Sequence, residues 1–333
     1  MNTSWLSLPK QRRVEILNQV TERTGLPAAA IEKDWWVTLC LKACFELPYS
    51  EQLLFKGGTS LSKAWGLIHR FSEDIDLAID RSFFGYEGDI SKTQIKKLRQ
   101  RSCGFISNQF IQDLRSKLTK WGAISDCELI AQAVTNSDKD PQTIEIHYHS
   151  VTEPHTYLPQ RVLIEVSSRS LMEPAEVREI HSVLSSTFPK MSFAEESFKV
   201  MTVTPQKTFL EKIFLLHEEF SQVPEKIRTN RLSRHLYDIE KVAGTGYGNA
   251  ALQNPELYQT IVAHRKKFNS LRGLDYSNHT PDKIRIIPPE TVIREYENDY
   301  SEMAGFMIYE DALTFQELIK RIRELQNRIN AIS

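Results

Sequence analysis

Apolar residues recur every three or four positions in some parts of the chain and at every second position in others. The first spacing is typical of amphipathic helices, and the second is typical of strands with one buried face. Helical spacing covers 10–24, the residues after Pro27, 90–118, 208–220, 231–242, 255–268 and 312–332. Strand-like runs cover 52–55, 75–79, 127–134, 143–151 and 161–167. The pattern predicts an α+β fold with a mixed sheet of about five strands, followed by a helical region.

The change from a mixed pattern to an almost purely helical one lies near Pro205. A chain of 333 residues is long enough for two domains that each bury a core. We therefore expect a first domain over 1–205, with two helices ahead of the sheet, and a helical domain over 206–333. The last two predicted strands are joined by TEPHTYLP (152–159), which predicts a hairpin.

The segment FKGGTSLSKAWGLIHRFSEDIDL (55–77) carries the most informative chemistry. It predicts a strand, a turn at Gly57-Gly58, a helix through Leu61, Trp65 and Ile68 with Thr59 or Ser60 available as its cap, and a second strand. Glycines at the start of a helix let the backbone approach a phosphate, which the free amides stabilise. A glycine pair alone is more often a plain tight turn. The spacing matches neither a P-loop nor a dinucleotide-binding fingerprint.

Asp74 and Asp76 occupy alternate positions of the second strand. Their carboxylates therefore point to one face, about 6.5 Å apart along the chain, where both can bind the same pair of hard cations. Two such ions would activate an attacking hydroxyl and neutralise a leaving pyrophosphate. The alternative is a solvated pair on an edge strand. The glycine turn just upstream favours the metal-binding interpretation.

A third carboxylate usually completes such a site and takes the proton from the nucleophile. Glu165, within the apolar run VLIEV, is the first candidate because burial in a strand is costly for an unpaired acid. Glu145 is the competing candidate, since alternation places His147 and His149 on its face as a second metal-binding set. For either glutamate the alternative is a solvated strand position.

Composition restricts the class of partner and the compartment. Lys plus Arg (42) nearly balance Asp plus Glu (43), so a nucleic acid would have to bind a local basic patch. Three clusters offer one, at 92–101, 226–234 and 264–272. The four cysteines lack C-x-x-C spacing and are expected to be reduced. No signal peptide or membrane span is apparent, so we expect a cytoplasmic protein.

Six segments, in order over about two thirds of the chain, resemble the AbiEii-type nucleotidyltransferase toxins. That family is related to the MenT toxins and belongs to the DNA polymerase β-like superfamily. The matching segments are IEKDWW (31–36), FKGGTSLSK (55–63), FSEDIDLAI (71–79), VLIEV (162–166), KTFLEKIFLLH (207–217) and RLSRHLYDIEKV (231–242). Only the pair FKGGTSL and SEDIDL is specific by itself.

The resemblance implies a polymerase β-like catalytic domain and a helical C-terminal domain that completes the nucleotide and acceptor cleft. It implies transfer of a nucleoside monophosphate from an NTP to an RNA, the tRNA 3′ end in relatives, with release of pyrophosphate. Two Mg²⁺ ions, or Mn²⁺ in their place, would be the cofactors. A cognate antitoxin within a toxin-antitoxin or abortive-infection system would be the protein partner.

The resemblance also implies roles for particular residues. Catalysis and metal binding fall on Asp74, Asp76 and Glu165, and nucleotide binding falls on Gly57, Gly58, Thr59, Ser60, Lys212, Arg234 and Asp238. Lys212 is expected to contact the triphosphate and to act in catalysis. The interval between the glycines and the aspartates is longer than in many relatives.

Helical periodicity agrees with part of this assignment. Lys212 lies on the flank of an apolar helical stripe, where its ammonium could reach a phosphate, although a solvated lysine paired with a glutamate fits the same pattern. Arg231, Arg234, His235 and Asp238 share one helix face. That face could bind substrate, or it could tie the two domains together through ion pairs. His235 fits a capping or packing role equally well.

Two other classes of function stay open at this stage. The same groups could transfer a nucleotide or a phosphoryl group to a protein hydroxyl. The protein could also be a sensor that binds nucleotide or RNA without reacting.

Overall fold

The computed structural model describes residues 3–134, 136–153, 158–269, 271 and 273–332. The chain divides into two structural units. The first comprises Met1–Ala64 and Phe71–Val203, and the second comprises Trp65–Arg70 and Thr204–Ser333. None of the helices described is long and apolar enough to cross a membrane. The fold is mixed α+β, as the sequence predicts.

The first unit is built on a mixed sheet, which has seven strands within the described residues. The strands are β1 (Leu53–Lys56), β2 (Asp74–Ile79), β3 (Cys127–Ala131), β4 (Gln142–Tyr148), β5 (Arg161–Ser167), β6 (Ala175–Ile180) and β7 (Phe198–Val203). Their order is β3-β4-β5-β2-β1-β7-β6. The pairs β2/β5 and β1/β7 are parallel, and the other neighbours are antiparallel.

The sheet has two strands more than the five predicted, β6 and β7, and β6 carries only a weak hydrophobic pattern. Strand β6 lies at the edge of the sheet, and half of its sequence AEVREI is charged, with Val177 55% exposed. An edge strand needs little apolar surface on its solvent face, so its composition does not mark it. The predicted hairpin is confirmed by the antiparallel pairing of β4 with β5, although residues 154–157 of its turn lie outside the described residues.

Six helices belong to the first unit as described. They are α1 (Lys10–Thr24), α2 (Ala28–Phe45), α3 (Gly57–Lys63), α4 (Lys92–Phe105), α5 (Ile111–Lys120) and α6 (Val183–Thr187), with a π-helical turn between α4 and α5. Local sequence sets several of their ends. Gly25 closes α1 in the left-handed conformation, and Ser91 with Gln94 forms a capping box at the start of α4.

Helix α3 departs from the sequence prediction in extent and in cap. The two glycines form its first turn, Lys56 is its N-cap residue, and no side chain caps it, so neither Thr59 nor Ser60 has the predicted role. The helix ends at Lys63 rather than near Ile68. Gly66 adopts a positive φ of 61°, which ends the helical path. The apolar spacing after Lys63 reflects burial of an irregular segment, not a helix.

The second unit is helical, with α7 (Pro205–Phe220), α8 (Ser233–Ala243), α9 (Gly246–Leu252), α10 (Pro255–Phe268), α11 (Ile293–Phe306) and α12 (Phe315–Asn330). Helix α7 is buried on nearly all sides, including charged positions such as Lys207 and Glu218. The segment Trp65–Arg70 joins this unit through ordinary contacts. Its His69 amide donates to the Tyr237 hydroxyl at 3.2 Å, for example.

Candidate active site

Three carboxylates share one face of the sheet at its centre. Asp74 and Asp76 alternate on β2 with two fully buried residues, Ile75 and Leu77. The parallel partner of Asp76 on β5 is Glu165. Matched residues on neighbouring strands point to the same side and lie about 4.8 Å apart. All three acids are half-buried, so this face is partly accessible to solvent.

The chemistry of this set suits a hard divalent cation. All three side chains offer carboxylate oxygens, the ligands that Mg²⁺ and Mn²⁺ prefer, whereas the nitrogen and sulfur ligands typical of zinc sites are lacking among them. In the described part of the chain, no group of three or more His, Cys, Asp or Glu side chains lies close enough together to hold a metal ion. Mg²⁺ commonly takes one or two carboxylates and completes its shell with water and substrate phosphates. Asp74 and Asp76 offer such a pair of carboxylates, with Glu165 on the neighbouring strand of the same face.

Glu145 also lies on this face, but one strand further away. Its partner on β5 is Leu163, and its carboxylate accepts hydrogen bonds from Gln132 at 2.8 Å, His147 at 2.9 Å and Arg161 at 2.8 Å. The hydrogen bond from Gln132, with those from His147 and Arg161, holds the pKa of Glu145 below its ordinary value despite partial burial. This carboxylate is therefore engaged by Arg161 and by two other polar side chains of the protein itself.

The predicted set of Glu145, His147 and His149 is not brought together as a metal site by the residues described. His149 is exposed and lies beyond the end of β4. Strand alternation therefore holds for Glu145 and His147 but does not extend to His149.

Gly57 is the point where the turn after β1 meets the carboxylate strand. It has a φ of 80°, and a Cβ placed on it would lie 1.9 Å from Asp76 Oδ2. Only glycine accepts both the backbone conformation and this close approach. Lys56, just before it, is the antiparallel partner of Asp76. The turn and the strand that carries Asp74 and Asp76 are thus in direct contact, as the sequence pattern suggests.

Thr59 and Ser60 are buried and use their hydroxyls within the protein. The Thr59 hydroxyl donates to the carbonyl oxygen of Asp74 and lies 2.8 Å from the hydroxyl of Ser72. The Ser60 hydroxyl donates to the carbonyl of Gly57 at 2.8 Å. These bonds fix the shape of the turn and the start of β2. Gly58 is half-buried at the second position of α3.

The second unit holds the other predicted site residues. Lys212 on α7 lies 2.9 Å from Asp238 on α8, and its ammonium donates to Nδ1 of His235 at 3.1 Å. Arg70 binds both oxygens of the Asp238 carboxylate, at 2.7 and 2.8 Å. Asp238 is fully buried and Lys212 is 7% exposed. The alternative of a solvated lysine paired with a glutamate is therefore wrong.

Charge and burial oppose each other in this cluster. Burial alone would raise the pKa of Asp238, but the charges of Arg70 and Lys212 hold that pKa below its ordinary value. Burial lowers the pKa of Lys212, as do the charges of Arg70 and Arg234, while Asp238 opposes this. Burial and the neighbouring Lys212 charge lower the pKa of His235, which is therefore neutral near pH 7. Two cations, Arg70 and Lys212, thus share the Asp238 carboxylate, and the resulting excess of positive charge is suited to an anionic ligand.

Sequence reasoning missed the partners that hold these groups in place. Arg70 is one, because its carboxylate partner lies 168 positions away and no local spacing marks the pair. The buried ion pair of Lys33 with Glu73 is another. A signal was present at Lys33, since IEKDWW places three consecutive charges inside an otherwise apolar helix.

The structure describes the predicted basic clusters at 92–101 and 226–234, whereas Arg272, at the end of the third cluster, lies outside the described residues.

Comparison with known families gives one match over most of the chain. The model of the family described as nucleotidyl transferase AbiEii toxin, type IV TA system, matches residues 40–321. No curated protein sequence matches the chain.

A solved structure shows a similar fold. The chain is similar to MenT4, a nucleotidyltransferase toxin from Mycobacterium tuberculosis H37Rv, with 16% identity, a TM-score of 0.56, and coverage of 96% of this chain and 90% of that one. JHP933 from Helicobacter pylori aligns with 14% identity over 92% of this chain and 98% of its own, at a TM-score of 0.36.

Proposed function

Because the chain belongs to the AbiEii family of nucleotidyl transferase toxins, we propose that it transfers a nucleoside monophosphate from an NTP to the 3′ end of a tRNA. Pyrophosphate is the second product. The observation that carries the proposal is the shared face of Asp74, Asp76 and Glu165 beside the Gly57 turn. A cognate antitoxin is the expected protein partner, as the type IV family description implies.

In this proposal the carboxylates act on both the attacking hydroxyl and the leaving pyrophosphate. Asp74, Asp76 and Glu165 would hold Mg²⁺ or Mn²⁺, which supplies positive charge to the nucleophile and to the departing pyrophosphate. The carboxylate of Glu165 would accept the proton of the attacking hydroxyl. Thr59 keeps the start of β2 in position through the Asp74 carbonyl. The absence of a side chain on Gly57 keeps the Asp76 carboxylate in place.

In the proposed function, the cluster in the second unit binds the triphosphate. Lys212 would contact a phosphate oxygen, because Asp238 holds its ammonium at 2.9 Å while Arg70 and Arg234 leave an excess of positive charge. Arg234 and Asp238 contribute charge and orientation. A neutral His235 accepts the Lys212 hydrogen bond without adding a further charge.

The RNA acceptor is expected to use local basic surface. On α4 the side chains of Lys92, Lys96 and Lys97 are exposed on a helix that packs through Ile95 and Leu98. Exposed lysines of this kind contact phosphates without reading sequence. They favour a nucleic-acid acceptor over a protein hydroxyl.

The test uses one NTP at a time, labelled at either the α or the γ position, with total tRNA and a protein extract in the same reaction. We expect label from the α position on RNA only. The variant Asp74→Asn/Asp76→Asn should reduce transfer to background. Its matched control is Glu128→Gln, an exposed carboxylate on β3 of the same sheet.

Each alternative gives a different result in that reaction. Label on RNA or protein from the γ position alone would show phosphoryl transfer and refute the proposal. Label from the α position on protein would move the acceptor to a protein hydroxyl. Full toxicity of the Asp74→Asn/Asp76→Asn variant in cells would identify a binding protein without catalysis.

A further inference from the structure

Three consecutive charged residues of α2 are buried in the first unit. Glu32 and Lys33 are each 1% exposed and Asp34 is 7% exposed, within the segment IEKDWW. Charged side chains are rarely buried unless each is paired. Lys33 and Asp34 form ion pairs, Glu32 accepts hydrogen bonds from residues 150–152, and each of the three contacts a different part of the unit. They have no role in the proposed chemistry itself.

Lys33 contacts the residues that precede the two strands which carry the candidate site. Its ammonium forms an ion pair with Glu73, the residue immediately before β2, and donates to the carbonyl of Pro159 at 2.8 Å. Pro159 lies two positions before the start of β5. Strands β2 and β5 are parallel neighbours, so one buried ammonium contacts the residues that precede both strands at the same end of the sheet.

The consequence concerns register. Asp76 faces the proposed metal beside Glu165 only because these two residues are matched in the parallel pair. A slip of one residue in either strand would turn its side chains to the opposite face of the sheet. Both strands have buried apolar residues on that opposite face, which resist a slip, but apolar contacts are not directional. The hydrogen bonds that the Lys33 ammonium donates to one carboxylate and one carbonyl are, in contrast, directional.

The energetics also point away from a purely stabilising role. Replacing a buried ion pair by apolar side chains of similar volume is often neutral or stabilising, because desolvation offsets the attraction. A charged pair at this position therefore adds little to stability that a methionine could not add. It does specify which backbone positions lie together.

We propose that Lys33, with Glu73, is a positioning element that sets the register of β2 against β5 and so the spacing of Asp74 and Asp76 from Glu165. The inference rests on the proposed function, because it gives these carboxylates their role as metal ligands. Lys33 does not touch substrate. It acts through the backbone of the two strands.

The test removes the pair without leaving a lone buried charge, in the variant Lys33→Met/Glu73→Gln of the full chain. The measurement is the dissociation constant of Mn²⁺ in the presence of a nonhydrolysable NTP, by calorimetry, alongside nucleotide transfer and thermal unfolding. The matched control is Glu32→Gln. It alters a buried carboxylate of the same helix that accepts from the Val151 amide at 2.8 Å, at the β4 end, rather than the Pro159 end, of the connection between β4 and β5.

We expect the paired variant to raise the Mn²⁺ dissociation constant about 10- to 100-fold, as changes to residues that support metal ligands do. Glu32→Gln should lower the unfolding temperature but leave Mn²⁺ binding within about threefold. Equal Mn²⁺ affinity in the paired variant and the wild type would overturn the inference.

Should the paired variant fail to fold, Glu73→Leu alone decides the question, because it removes the contact of Lys33 with the residue before β2 while the Pro159 carbonyl still accepts from the ammonium. Unchanged Mn²⁺ affinity in that variant would likewise overturn the inference. A wild-type protein that binds Mn²⁺ but transfers no nucleotide would instead refute the proposed function. The two failures are therefore distinguishable.

Discussion

Replacing Gly57 by alanine is the sharpest single perturbation of the candidate site. The new Cβ would lie 1.9 Å from Asp76 Oδ2, 2.7 Å from its Cγ and 3.0 Å from its Cβ. Contacts below 3.0 Å essentially never occur for a Cβ, so the Asp76 carboxylate has to move by about 1 Å or more. The backbone must also keep a φ of 80° with a side chain present.

The two effects have different magnitudes and different readouts. A non-glycine residue in the left-handed conformation costs about 1–2 kcal/mol of unfolding free energy. A displacement of about 1 Å of a catalytic group lowers the rate on the order of 100-fold. We therefore expect Gly57→Ala to lose roughly 100-fold in nucleotide transfer and to weaken Mn²⁺ binding, with a modest loss of stability.

Gly85→Ala is the matched control for backbone strain. Gly85 belongs to the same unit and has a φ of 76°, but a Cβ placed on it meets nothing within 4 Å. Both variants should lose a similar unfolding free energy in urea titrations. Only Gly57→Ala should lose activity, measured as transfer of α-labelled nucleotide to RNA.

Two results would refute this reasoning. Wild-type activity in Gly57→Ala would show that the Asp76 carboxylate is not needed where the structure places it. Equal loss of activity in Gly57→Ala and Gly85→Ala would trace the effect to backbone strain alone.

Three further predictions test other parts of the molecule. Glu165→Gln should lower the rate of nucleotide transfer about 100-fold or more, as loss of a general base does. Glu145→Gln should leave that rate within about threefold of the wild type. A transfer assay with the reverse result would assign the general base to Glu145 instead. Asp238→Asn leaves the buried Arg70 without its counter-charge, so urea unfolding should show a loss of about 3–5 kcal/mol. Burial lowers the pKa of His217 to about 4 in the folded state, whereas the unfolded chain binds this proton below about pH 6.5. The free energy of unfolding should therefore fall by about 3 kcal/mol between about pH 6.5 and 4. The variant His217→Gln should show a smaller fall over the same range.

The sequence was most informative where function depends on neighbours along the chain. Asp74 and Asp76 alternate on a strand, so their common face follows from the period of two alone. Gly57 stands beside them because a short helix returns the chain to the adjacent strand. The side of the sheet occupied by Glu165 could be predicted from alternation in VLIEV. Its register against Asp76 could not, since register depends on contacts between distant segments.

Features that depend on distant partners were beyond local reasoning. The pair Arg70 and Asp238 spans 168 positions, and the pair Lys33 and Glu73 spans 40. Neither has a periodicity that single-sequence patterns could show. Hydroxyl roles were also unclear, because a threonine near a helix start suits a cap by its local position. The Thr59 hydroxyl instead donates to the carbonyl of Asp74, because α3 packs against β2.

The segment Trp65–Arg70 has a consequence for how this kind of protein can be divided and inherited. It lies between two elements of the first unit in the chain, yet it belongs to the second. A fragment beginning at Thr204 would keep Lys212 and Asp238 but lack Arg70, and so lose the bidentate partner of its buried acid. Exchange of helical units between relatives by a single crossover would separate the same pair. Recombinants of this family should therefore retain both segments from one parent, or change Arg70 and Asp238 together.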